Sequence, residues 1–158
     1  MNDLLFATVK LPMLDKVLAT ESILQIPDRH SWWDNYRQTK MIPLMSKTGQ
    51  GISNYRDGEF LWTEFAPKII TEYFEEVVFD WLGCRSRLMA LITAPNCQNG
   101  EHIDCEPKEV SSRQHKFRIV LQGQTSTLYF KTIDGDVHVP DVDDAFIMDG
   151  GWPHGMNN

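Results

Sequence analysis

The sequence has little cysteine, no long apolar run and a shortage of positive charge. Its three cysteines, Cys84, Cys97 and Cys105, leave an odd thiol, so no disulfide framework is expected. No stretch approaches the roughly 18 consecutive apolar residues of a membrane-spanning helix. The segment Met1-Asn2-Asp3-Leu4-Leu5-Phe6 has neither a basic region nor a long apolar core, unlike a signal peptide. Together these absences predict a cytoplasmic protein with no membrane partner. Lys and Arg number 15 against 22 Asp and Glu, a formal net charge of −7, which argues against nucleic acid as a bulk electrostatic partner. The cations Lys108, Arg113, Lys116 and Arg118 cluster locally, but Glu109 interrupts them and the run reads as a solvated strand edge. There is no internal repeat, low-complexity tract or linker, and nothing indicates an oligomeric state.

What is present fits a single domain, 1–158, long enough to bury a core. Its first part, 1–83, reads as mixed strand and helix support. Leu4 to Leu11 suggests an edge strand stopped by Pro12. Leu14, Val17, Leu18, Ile23 and Leu24 have a helical beat that ends at Pro27. Trp32, Trp33 and Tyr36 read as an aromatic anchor, Thr39 to Lys47 as a strand broken at Pro43, and 49–58 as a loose loop near a site. The strongest helix runs from Pro67 to Leu82 with Gly83 as its stop. Ile70, Tyr73, Phe74, Val77, Val78 and Trp81 form its apolar face. From 84 to 158 the pattern changes to short strands: Arg87 to Thr93, Lys116 to Leu121, Thr127 to Thr132, Val137 to Val139 and Ala145 to Met148, separated by Gly, Pro, Asn and Asp turns. Strands at this spacing predict a β-sandwich or barrel. Helices followed by strands make the class α+β, a jelly-roll core with supporting N-terminal helices.

The chemistry concentrates in that second part. Gly100-Glu101-His102-Ile103-Asp104 supplies a His-x-Asp pair, and Gly151-Trp152-Pro153-His154 supplies a distal His, 154 − 104 = 50 positions later. In an extended segment residues i and i+2 point to one side, so His102 and Asp104 can grip one ion while Ile103 faces away. Two imidazoles and a carboxylate form the facial set that leaves the remaining positions of an octahedral Fe(II) open. Asn99-Gly100 and Asp149-Gly150-Gly151 offer turns that present these ligands. A zinc site from Cys97, His102, Cys105 and His115 is a rival, but it lacks the paired short spacing of zinc modules. Cys105 otherwise reads as a packing residue, and His30, His115 and His138 as surface histidines.

On these residues, and on the strands His115-Lys116-Phe117-Arg118-Ile119-Val120-Leu121 and Phe146-Ile147-Met148-Asp149-Gly150-Gly151-Trp152-Pro153-His154, the span from Arg87 to Asn158 resembles the double-stranded β-helix core of Fe(II)- and 2-oxoglutarate-dependent dioxygenases. It is most similar to the aspartyl/asparaginyl β-hydroxylase branch and, more distantly, to the prolyl hydroxylases. The resemblance implies iron bound by His102, Asp104 and His154, 2-oxoglutarate as cosubstrate, and O2-dependent hydroxylation of a peptide side chain or small metabolite. It also implies that Arg118 meets the 2-oxoglutarate carboxylate; Thr93 and Tyr129 are candidates for added hydroxyl contacts. Some members of that branch lack the acidic ligand, which this sequence has. Many dioxygenases carry a cosubstrate-binding Arg beyond the distal His, where only four residues follow here. Either Arg118 takes that role, the chain is a fragment, or cosubstrate binding is impaired. Alternation along 116–122 puts Lys116, Arg118 and Val120 on one face. If that face is internal, Arg118 needs an anion, either a dicarboxylate held bidentately or a protein carboxylate. The alternative to an oxygenase is a cupin-like metal-binding β-barrel that is non-catalytic or independent of a cosubstrate.

Overall fold

The structure is a computed structural model and describes residues 5–47, 59–104, 115–141 and 145–158. The loop expected at 49–58, Cys105, and the cations Lys108 and Arg113 lie outside the described residues. Most regular structure is β, in three antiparallel sheets. The chain divides into two compact units, 12–93 and 94–158 with 1–11.

In the 12–93 unit, α1 (Lys16–Leu24) starts at Asp15, whose side chain accepts the Leu18 amide at 2.9 Å. The helix buries Ala19 and Ile23, leaving Val17, Leu18 and Leu24 exposed. An i, i+4 pair of small and branched residues thus sets the buried stripe, not the five-residue set the periodicity suggested. Strand β2 (Trp32–Asp34) forms a hairpin with β3 (Thr39–Ser46), so Trp32 and Trp33 belong to a strand rather than a loop. The sequence predicts a break at Pro43, but β3 passes through it. The missing donor is absorbed by a register shift between Pro43 and Met45 where β3 meets β5 (Leu88–Thr93). Strand β4 (Leu61–Trp62) pairs the far end of β3.

The long helix is α2 (Lys68–Tyr73), a π-helical turn (Phe74–Val78) and α3 (Phe79–Leu82). Gly83, at φ +67°, closes it with a bond from its N–H to the Phe79 carbonyl. Ile70, Phe74, Val78 and Phe79 are buried, and Trp81 is half exposed. The π-turn adds a residue to the winding and carries Trp81 off the face that strict 3.6-residue periodicity assigns to it. Trp62 of β4 packs against Phe74 and Phe79, joining this helix to the sheet. Among the described residues no helix is long and apolar enough to cross a membrane.

The second unit carries two sheets. One is β1 (Phe6–Val9), β10 (Ala145–Asp149) and β7 (His115–Ile119), in that order. The other is β6 (Gln98–His102), β11 (His154–Asn157), β8 (Leu128–Thr132) and β9 (Gly135–His138). Leu128 and Phe130 of β8 pack with Phe146 and Met148 of β10, with Val139, Phe6 and Trp152 around them. The Phe6 and Phe130 rings stack with centroids 6.1 Å apart. Two antiparallel sheets sharing one apolar core are compatible with a β-sandwich. Strands β7, β8 and β10 overlap the runs expected as strands, and β9 begins two residues before the run expected at Val137 to Val139. β5 does not join this unit: it pairs with β3.

Gly155 occupies the tightest point of the second sheet. A Cβ there would lie 2.6 Å from Tyr129 Oη and 2.9 Å from the Asn99 carbonyl oxygen. Because one of these neighbours is backbone, the strands must part to admit a methyl group. Gly155→Ala is expected to lower unfolding free energy by about 1–3 kcal/mol, measured as a reduced midpoint in urea denaturation at unchanged slope.

Candidate metal centre

Three strands and two turns bring the site together. His102 ends β6 and His154 begins β11, and the two are directly paired across the ladder. His154 is also paired with Phe130 on β8. Directly paired residues share a sheet face, so both imidazoles lie on the core side with Phe130. Their ring centroids are 4.5 Å apart, and His154 is 1% exposed. Asp104 follows two residues beyond the end of β6. Its amide donates to the Gly150 carbonyl at 2.9 Å, which fixes the carboxylate beside the turn leading to His154. That turn is itself braced. Asp149 Oδ1 accepts the Gly151 amide at 2.8 Å, and the Pro153 carbonyl accepts the Lys131 amide at 2.9 Å. Ile103, between the ligands, is exposed, as the i, i+2 argument requires.

The hydrogen bonds set which nitrogen of each ring faces the backbone. His102 Nδ1 lies 2.9 Å from the Gly100 carbonyl oxygen, and His154 Nδ1 lies 2.8 Å from that of Trp152. A carbonyl can only accept, so each ring donates from Nδ1. In the neutral tautomer this leaves an Nε2 lone pair on each ring. Those nitrogens face the Asp104 carboxylate, with His102 Nε2 3.5 Å from Oδ1 and His154 Nε2 3.1 Å from Oδ2. Among the described residues, the buried His154 Nε2 has no aligned hydrogen-bond partner.

Among the described residues, this is the group of three whose ligand atoms converge, all within 4.8 Å of one another. A divalent cation fits the donor set. Metal bonds of about 2.1 Å place neighbouring octahedral ligands about 3 Å apart, against 3.1 and 3.5 Å for the two His–Asp separations and at most 4.8 Å within the group. Backbone acceptors at both Nδ1 atoms are the usual outer-shell support of metal-binding histidines. Burial would push the Asp104 carboxyl up. The neighbouring His102 and His154 rings and the Lys116 ammonium outweigh burial and hold it well below the usual carboxylate range.

Lys116 is the site residue that the sequence reading missed. Its Nζ lies 2.5 Å from Asp104 Oδ2. On β7, Lys116 pairs with Met148 and Arg118 with Phe146, so both cations share the face that Met148 and Phe146 bury. The alternation that placed Arg118 inside also implied Lys116, and the charge run hid it. The other candidates lie elsewhere. Tyr129 pairs with Gly155 and so stands on the opposite sheet face from His154, with its ring 5.8 Å from that of His138. Thr93 belongs to the other compact unit, where its hydroxyl is 3.3 Å from that of Thr39. Within its unit, Tyr129 is not brought to the triad. Of the rival zinc set, His102 is committed to the His-Asp-His cluster, and His115 is exposed at the start of β7. Cys97 is a half-buried free thiol.

No family model matches the chain, and no curated protein or solved structure is significantly similar to it.

Proposed function

We propose that this chain is an Fe(II)- and 2-oxoglutarate-dependent oxygenase that hydroxylates a peptide side chain or small metabolite on a double-stranded β-helix core. The observation that carries this reading is the convergence of His102, Asp104 and the buried His154 with both Nδ1 atoms tied to backbone carbonyls. Two neutral nitrogens and one carboxylate suit Fe(II) and leave positions for a chelating cosubstrate. Bound iron would supply the oxidation, in which 2-oxoglutarate, O2 and a substrate C–H group become succinate, CO2 and an alcohol.

The chain's own residues do the rest. The Gly100 and Trp152 carbonyls hold the two rings in one tautomer and orientation. Asp104 contributes the single negative charge of the ligand set, and the hydrogen bond its N–H donates to the Gly150 carbonyl keeps it beside His154. Phe130, fully buried behind His154 with ring centroids 5.9 Å apart, keeps water from the protein side of the imidazole. Arg118 stands two residues beyond Lys116 on the same face of β7, about 7 Å along the strand. A guanidinium there is suited to the far carboxylate of a dicarboxylate held at the triad.

The test is anaerobic visible absorption on adding Fe(II) and then 2-oxoglutarate to wild type and His102→Ala. The expected result is a charge-transfer band that requires both additions and is missing from the variant. Iron binding without the band would favour the cosubstrate-independent, cupin-like reading. Absence of iron binding from the wild type would end the oxygenase proposal.

A further inference from the structure

Lys116 holds the same carboxylate that a metal would need. Its ammonium contacts Asp104 Oδ2, and that oxygen is also the one 3.1 Å from the buried His154 Nε2. The contact is built into the fold. Lys116 pairs with the fully buried Met148, so its stem enters from the sheet facing the histidines. Its side chain is 31% exposed against 6% for Asp104, which places the lysine at the rim and the carboxylate within.

We propose that Lys116 is a tethered counter-cation of the triad, sharing Asp104 with a divalent metal and limiting how tightly that metal is held. The inference rests on the metal-binding reading of the site. Two positive groups drawing on one carboxylate oxygen repel each other strongly in a partly desolvated setting. A neutral amide or carbonyl around a ligand carries no such opposition. A flexible ammonium stem can also yield, because lysine reaches water by rotating its side chain where a planar guanidinium fork is more fixed. Lys116 therefore neutralises Asp104 when no metal is present and gives way as one enters.

The sign of the effect separates this role from plain ligand support. Removing a residue that only orients a ligand weakens metal affinity, typically by about 10–100-fold. Removing a counter-cation strengthens it. The experiment is calorimetric titration of the full chain with Co(II), comparing wild type, Lys116→Met, Lys116→Arg and His154→Ala. Lys116→Met is expected to bind Co(II) about 10-fold tighter or more, a change on the scale of outer-shell substitutions. Lys116→Arg, which keeps the charge on a stiffer fork, should bind Co(II) no tighter than wild type, and metal-free Lys116→Met should show a lower urea midpoint. If Lys116→Met does not fold, Lys116→Gln makes the same comparison with a neutral donor. Unchanged or weaker binding by the neutral variants beside a wild type that binds would overturn the counter-cation role alone. A wild type as silent as His154→Ala would remove the metal reading and this inference with it.

Discussion

His154→Ala is expected to abolish divalent-metal binding, with affinity reduced by at least about 100-fold. Outer-shell changes alone cost about 10–100-fold, and His154 is a proposed ligand, 1% exposed and at the centre of the cluster. The measurement is the metal-induced shift in stability. A ligand at 100 times its dissociation constant stabilises the native state by about 2.7 kcal/mol. Wild type should show such a shift in urea denaturation with saturating Co(II), and His154→Ala should show none. Retention of the full shift by the variant would mean that the metal sits elsewhere.

Phe130→Ala should cost the fold about 3–5 kcal/mol, the usual penalty for emptying a buried aromatic site. Phe130 is fully buried, stacks on Phe6 and packs with Phe146 and Met148, so its loss would open a cavity between the two sheets. The same ring lies 5.9 Å from His154, yet it offers no ligand atom. The folded fraction of Phe130→Ala should therefore still bind one equivalent of Co(II), and its urea midpoint should fall well below that of wild type. His154→Ala and Phe130→Ala thus separate ligation from packing at neighbouring positions of one ladder. A loss of stability under about 1 kcal/mol for Phe130→Ala would show that the sheets close over the gap.

The His-Asp-His cluster was legible because a spacing and a turn met in it. An i, i+2 pair announces itself in any extended segment, and a His behind Gly-Gly-Trp-Pro is a directed residue. The strands that carry it were less legible. β6 reads Gln-Asn-Gly-Glu-His and β11 reads His-Gly-Met-Asn, with little of the branched or aromatic content that marks strands. They are extended because β8 and each other complete their ladders, a tertiary cause that composition does not carry. The same reason explains Thr93. Leu88–Thr93 is as strand-like as its successors, and no local feature states that its partner is β3. Tyr129 failed on parity. It sits one residue from Phe130, and in a strand one residue is the difference between two faces. In the long helix no residue signalled the π-turn, so a correct apolar count placed Trp81 on the wrong side.

The direct pairing of His102 with His154 has a consequence for how this unit folds. The two positions are 154 − 102 = 52 residues apart, so no local segment contains the site. It comes into being when β6 and β11 close, a late event for a contact of such sequence separation. A metal held there acts as a clip across a long loop. Covalent links closing loops of this length are worth about 4 kcal/mol through the unfolded chain's lost freedom. The ion would thus report that the chain has completed its topology, and would lock in place the ladder that created its site.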